Sequence, residues 1–248
     1  MISRKCFKRT ENDNTRISMS AMNKNKTFIV IAAYNEGEQI KNVILELLHR
    51  DFKNIVVVDD GSSDDTTQIA ASAGAIAIKH PINLGQGAAL QTGIDYSLEL
   101  GADMIVTFDA DNQHDPDDIP SAINTLHKSG CDILLGSRFK GKTINMPLKK
   151  KITLKLAIFF TRITTGLDFS DAHNGFRILT KNAAKLIRIK QNRMAHASEI
   201  LNEIANLKIK YIEHPVTIKY TDYSIAKGQK ISNSLNILKD LFLGGLYK

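Results

Sequence analysis

From Thr27 onward the chain alternates short apolar runs with stretches of helical periodicity. Phe28-Ile29-Val30-Ile31-Ala32-Ala33 precedes a helical pattern from about Glu36 to His49, and Ile55-Val56-Val57-Val58 follows it. Runs this continuously apolar and β-branched predict strands covered on both faces. The rhythm continues with a helix over Asp64 to Ala73, a strand Ala75 to Lys79, a helix Gly87 to Leu100 and a strand Met104 to Phe108. A helix from Asp118 to about Lys128 then leads to a strand over Asp132 to Gly136. Strands alternating with helices predict an α/β fold whose central sheet is mostly parallel and flanked by helices.

Beyond that strand the rhythm changes. Residues 147–165 predict a basic amphipathic helix, with Leu156, Phe159, Phe160 and Ile163 at helical spacing among Lys149, Lys150, Lys151 and Lys155. A helix over Ala195 to Leu207, a strand near Tyr211 to Thr217 and an amphipathic helix over Ser232 to Leu243, striped by Leu235, Leu238 and Phe242, complete the pattern. Residues 1–26 lack periodicity and read as a disordered basic tail, with Met19 and Met22 as alternative starts. The expected organisation is that tail, one domain over 27–230, and a C-terminal amphipathic helix over 231–248.

Composition narrows the function classes. The chain has 248 residues, 43% of them apolar and 24% charged, enough for one sizeable core. No apolar run approaches the roughly 18 to 20 residues that span a bilayer, and the polar start has no secretory pattern. The expectation is a cytoplasmic protein. Two cysteines, Cys6 and Cys131, cannot build a disulfide framework or a Cys-based zinc site. The net charge of +7 divides into +5 over residues 1–26, −11 over 27–138 and +13 over 139–248. A split that large points to an anionic partner for the second half. With 6% aromatics and no Trp, that half lacks the stacking platform of a nucleic-acid binder.

Ligands of open parallel sheets bind beyond the carboxyl ends of the strands. Those ends carry Tyr34-Asn35-Glu36-Gly37, Asp59-Asp60-Gly61-Ser62, Asn83-Leu84-Gly85-Gln86-Gly87 and Asp109-Ala110-Asp111-Asn112-Gln113-His114. Asp109 and Asp111 can converge on one hard cation, Mg²⁺ or Mn²⁺, or form an acidic turn before the next helix. An EF-hand is excluded, because His114 stands where its glycine belongs and Pro120 where its glutamate belongs. Gly85-Gln86-Gly87 lacks the third glycine of a dinucleotide fingerprint, having Leu90 there; it is either a close backbone approach to a diphosphate or a plain turn. A receiver domain would share Asp59, Asp60 and Asp109 but would be far shorter.

Together these four motifs resemble family 2 glycosyltransferases, and within them the dolichyl- or polyprenyl-phosphate mannosyltransferase-like group, over about residues 27–220. The resemblance implies a GT-A fold with a nucleotide-sugar half over 27–138 and an acceptor half over 139–230. It implies that Ala33, Tyr34, Asn35, Glu36, Asp60, Asn83, Gly85, Gln86, Gly87, Asp109 and Ala110 bind a UDP- or GDP-sugar. Asp109, Asp111 and Gln113 would hold the metal. Gly136-Ser137-Arg138 and Asp171-Ala172-His173-Asn174-Gly175-Phe176-Arg177 resemble the family's acceptor side, so Arg138, Lys149, Lys150 and Arg177 are acceptor-binding candidates. His114 and His173 are expected to act as hydrogen-bonding groups beside the site.

The family is inverting, which implies one direct displacement with the metal at Asp109 and Asp111 as Lewis acid, Asp111 being counted among the catalytic residues. A hydroxyl acceptor needs a base, for which Asp171 and Glu199 are the candidates; a phosphate acceptor needs none. The expected acceptor is a polyprenyl phosphate or a saccharide of cell-envelope glycan synthesis. The basic stretches suggest peripheral contact at the inner face of the plasma membrane, or a homo-oligomer packed through the same helices. The alternatives are a sugar-phosphate nucleotidyltransferase, an idle scaffold of the same fold and a nucleic-acid-binding module.

Overall fold

The computed structural model describes residues 24–192 and 195–227. A single turn over Lys24–Lys26, at the end of the expected tail, enters β1 (Thr27–Ala33). There follow α1 (Gly37–His49), β2 (Asn54–Asp59), α2 (Thr66–Ser72), β3 (Ile76–Lys79), α3 (Gln86–Glu99), β4 (Met104–Asp109) and α4 (Asp118–Ser129). The second half is β5 (Ile133–Ile144), α5 (Leu148–Thr165), β6 (Arg177–Thr180), α6 (Lys181–Leu186), α7 (His196–Asn206), β7 (Tyr211–Lys219) and α8 (Asp222–Lys227). The seven strands form one sheet in the order β3-β2-β1-β4-β6-β5-β7.

Alternate residues of each central strand feed two cores. Ile29 and Ile31 face α1 and α4, whose Ile40, Val43, Ile44 and Leu47 and Ile119, Ile123 and Leu126 recur at helical spacing. Phe28, Val30, Val56 and Val58 face α3 and α7, where Leu90, Ile94, Ile200, Leu201 and Ile204 meet them. Each such side chain taken fully from water contributes about 1.5–3 kcal/mol, so the sheet is stabilised from both faces. Among the described residues no helix is long and apolar enough to cross a membrane.

The elements of the first half match their pattern to within about two residues. In the second half α5, α7 and β7 also lie within two residues of their pattern, and the departures are at β5 and β6. The expected strand Asp132–Gly136 continues to Ile144, because after a register shift Lys142–Ile144 pair with Thr217–Lys219 of β7. That outer stretch is mostly exposed and polar and is held by backbone bonds, so it carries no apolar signal. Strand β6 has four residues, too few to show a period, and is antiparallel to both β4 and β5. Its beginning therefore lies where β4 ends, at the carboxyl rim. The expected helix over Ser232–Leu243 lies outside the described residues.

Candidate active site

The rim is built by loops that hold one another through side-chain caps. Asn35, at positive φ, donates its N–H to Ser62 Oγ at 2.8 Å and accepts from the Ser63 N–H at 3.0 Å. Glu36 donates its N–H to Thr66 Oγ1 at 2.9 Å and accepts from the Tyr223 hydroxyl at 2.8 Å. Tyr34 stands beside them about half exposed, and Ala33 is buried beneath.

Asp60 was expected at the open rim and is instead buried. Its carboxylate accepts from the N–H groups of Leu84 at 3.0 Å and Gly85 at 2.6 Å, and faces His80 Nδ1 at 2.9 Å. Asp60 thus shapes the Asn83–Gly85 turn, of which Asn83 and Leu84 are exposed and Gly85 is buried.

The start of α3, at Gln86 and Gly87, is covered by the chain itself. Gly87 and Ala88 donate to the Asn192 carbonyl at 2.7 and 3.3 Å. A Cβ on Gly87 would lie closer than 3.0 Å to the Gln191 carbonyl oxygen. The close approach that this glycine permits is therefore to Gln191 and Asn192. Glu199 holds the same segment, its carboxylate accepting from the N–H groups of Lys190 and Gln191, the latter at 2.8 Å.

Asp109 ends β4, and the left-handed Asn112 turns the chain so that Asp111 accepts from the Gln113 N–H at 3.1 Å. Buried Ala110 lies between the two carboxylates in sequence. His114 Nε2 lies 2.8 Å from Asp109 Oδ2, and the His114 ring packs against Phe108 and Phe176. Gly175 backs onto Asp109 so closely that a Cβ there would be under 3.0 Å from both carboxylate oxygens. Burial works against ionisation of Asp109, but His114, Arg177 and Arg138 outweigh it and hold its carboxyl below the usual range. Burial, and then the charge of Asp109, push Asp111 up to about 6.

Two like charges with this mutual cost fit a divalent cation. Among the described residues no group of three or more His, Cys, Asp or Glu side chains could hold one alone. A cation at Asp109 and Asp111 would thus retain positions for water and phosphate oxygens, the usual habit of Mg²⁺.

On the side where an acceptor is expected, Arg138 and Asp171 form a buried ion pair. Asp171 Oδ2 accepts from Arg138 Nε at 2.6 Å and from its backbone N–H at 3.0 Å. The remaining guanidinium nitrogens donate to Tyr220 Oη at 2.8 Å and to the His173 carbonyl at 2.6 Å. Burial opposes the charge of Arg138, but Asp171 and Tyr220 keep it protonated. Lys150 Nζ lies 4.9 Å from the Tyr220 ring centroid. Burial, then Arg138, lower its pKa, while Asp111 and Asp109 pull it back up. Lys149 is exposed.

Arg177, the remaining acceptor candidate, lies deep in the chain. It is buried within the field of Asp109 and Asp171, burial lowers its pKa to about 10, and its Nη1 has no hydrogen-bond partner among the described residues.

Tyr220, Tyr223 and His80 gave no motif in the sequence. Tyr220 could have been found as the residue just past β7, a strand that ends on the same rim. The Lys219 N–H donates to the Gln113 carbonyl at 2.9 Å, which ties the end of β7 to the Asp109–His114 loop.

The scan of family sequence models matches Glycosyl transferase family 2 over residues 28–188. The chain belongs to this family. The transferase is 35% identical to the UDP-N-acetylglucosamine–dolichyl-phosphate N-acetylglucosaminyltransferase of Methanococcus voltae, over 87% of this chain and 94% of that one. It is 26% identical to the polyprenol monophosphomannose synthase of Mycolicibacterium smegmatis, over 82% and 80%. Its fold superposes with TM-score 0.69 on Mycobacterium tuberculosis glucosyl-3-phosphoglycerate synthase, solved with Mn²⁺ and UDP. That likeness, at 15% identity over 88% of this chain and 77% of that one, assigns the GT-A fold.

His173 gives the transferase a pH-dependent stability. Burial, with Arg138 and Arg177 nearby, lowers its pKa from 6.5 to about 4, against the pull of Asp171. The unfolded chain therefore binds the proton more readily between those values, and stability falls as pH drops through about 6.5 toward 4. The expected loss by pH 4 is of order 2 kcal/mol after discounting for partial exposure. Thermal melts of wild type and His173→Asn at pH 7.5 and 5 check it, with a smaller drop expected for the variant.

Proposed function

We propose that the transferase moves a sugar from a nucleoside diphosphate donor onto the phosphate of a polyprenyl-type lipid, by one inverting displacement. The observation that carries this reading is the state of the two carboxylates able to serve as bases. Asp171 is the counter-ion of Arg138, and Glu199 holds the main chain of Lys190 and Gln191. A hydroxyl nucleophile needs one of them free; an ionised phosphate oxygen attacks without a base. The cations Arg138 and Lys150 lie in the field of Asp109 and Asp111, where an acceptor phosphate would meet a donor diphosphate.

Tyr34, Asn35 and Glu36 would line the base and ribose, with Asp60 shaping the turn beside them. Asp109, Asp111 and Gln113 would hold Mg²⁺ or Mn²⁺, which supplies charge neutralisation of the departing diphosphate. Arg138 and Lys150 would orient the acceptor phosphate in line with the anomeric carbon and offset its charge. A lipid-borne acceptor places the work at a membrane face, the cytoplasmic one in this reading. A relative named for transfer to dolichyl phosphate and another named for synthesis of polyprenol monophosphomannose support it.

The test is transfer from UDP- and GDP-sugars to a short-chain polyprenyl phosphate, to the matching polyprenol and to a saccharide. We expect product with the phosphate alone and a Glu199→Gln rate within a few-fold of wild type. Equal transfer to the alcohol or saccharide, or a rate loss of about 100-fold or more in Glu199→Gln, would overturn the phosphate assignment.

A further inference from the structure

Helix α5 presents an apolar stripe with nothing of the described chain upon it. Leu154, Ala157, Ile158 and Thr161 turn inward and are buried. On the opposite side Leu148, Ile152, Leu156, Phe159 and Ile163 succeed one another by four, four, three and four residues and are 52% to 71% exposed. They form one row about 22 Å long at 1.5 Å per residue. Isolated exposed apolar residues are ordinary, whereas five large ones in a row mark a binding surface.

We infer that this row, with its lysine border, docks on the surface of an anionic bilayer. Leu148–Thr165 contains Lys149, Lys150, Lys151, Lys155 and Arg162 and no Asp or Glu. Lys149, Lys151 and Lys155 are exposed beside the row. A lipid surface with anionic headgroups satisfies both features at once, acyl chains for the row and headgroups for the cations. A second copy of the chain would bring an identical cationic border against this one. The same helix carries Lys150 on its inner side, over Tyr220 and next to Arg138. Resting on the proposed lipid-phosphate acceptor, the geometry lets α5 lie along the membrane while its first turn meets a phosphate held at headgroup level.

The experiment is sedimentation of the full-length protein with vesicles of phosphatidylcholine alone or mixed with phosphatidylglycerol, in 0.1 and 0.5 M salt, without donor or acceptor. Wild type should pellet with the mixed vesicles at low salt and at least tenfold less with phosphatidylcholine or in high salt, where the Debye length falls to about half. Leu156→Glu/Phe159→Glu should lose at least tenfold in pelleting while keeping its melting temperature and its transfer to a water-soluble short-chain phosphate. Lys151→Gln/Lys155→Gln should weaken pelleting roughly tenfold or more, at about 1 kcal/mol per cation. Wild type remaining in the supernatant, equal pelleting of the Glu variant, or a wild-type dimer that this variant makes monomeric with no vesicle binding would each overturn docking. Those results would leave the acceptor assignment untouched, since the soluble acceptor tests it separately.

Discussion

Asp111→Asn is expected to abolish metal-dependent binding of nucleoside diphosphate while making the metal-free protein more stable. Burial and the neighbouring Asp109 raise the Asp111 carboxyl to about 6, so its charge at pH 7 is a cost to the folded state. A neutral amide of the same shape removes that cost. The stabilisation, of order 1–2 kcal/mol after discounting for solvent, is present at pH 7, shrinks as pH falls through about 6 and is lost only below about 3.8, where both folded and unfolded carboxyls are protonated. The same change halves the charge offered to a hard cation. Calorimetric titration of UDP and GDP with Mn²⁺ should show affinity falling about 100-fold or more. Melts without metal should move the other way. Unchanged affinity and unchanged metal dependence would remove Asp111 from the metal site.

Gly175→Ala is expected to have an effect of similar size from a residue with no side chain of its own to offer a ligand. The added methyl would lie under 3.0 Å from both oxygens of Asp109, a short side chain with little room to yield. Moving that carboxylate breaks its 2.8 Å contact with His114 Nε2 and turns it from the cation it would share with Asp111. The main chain at Gly175 cannot retreat freely, because its carbonyl accepts from Thr107 Oγ1 at 2.5 Å and Arg177 follows in the sheet. We expect a folded protein that binds Mn²⁺ with nucleoside diphosphate at least 100-fold more weakly, with nucleoside binding retained. Calorimetry with the diphosphate and with the nucleoside alone separates the two; equal affinity of variant and wild type for the diphosphate would show that Asp109 tolerates displacement.

These expectations draw on information of two kinds. Local pattern sufficed for the first half: Phe28–Ala33, Ile55–Val58 and Met104–Phe108 are apolar because each is covered on both sides, and such runs announce strands whatever surrounds them. Four strand ends in one direction then place Tyr34, Asn35, Glu36, Asp109 and Asp111 on one rim, since parallel strands share their carboxyl edge. The helix over 147–165 was equally legible, its period set by one buried face and one row that the fold leaves open.

Tertiary structure alone decided what those side chains touch. Asp60 follows a strand as any rim residue does, and only the return of the chain at His80 and Leu84–Gly85 makes it a buried acceptor. Arg177 reads as an acceptor candidate, and only the antiparallel pairing of the four-residue β6 with β4 shows it buried near Asp109. Asp171 and Arg138 are 33 residues apart, and Glu199 is eight from Gln191, so neither pairing has a local period to reveal it. Sequence by itself thus determined the parallel strands of the first half, the edge on which they end and the residue types gathered there, because burial periodicity is a local property, whereas β6 and the outer part of β5 were left to the fold. Which carboxylates hold the chain together was decided by long-range contacts, which depend on where distant segments return.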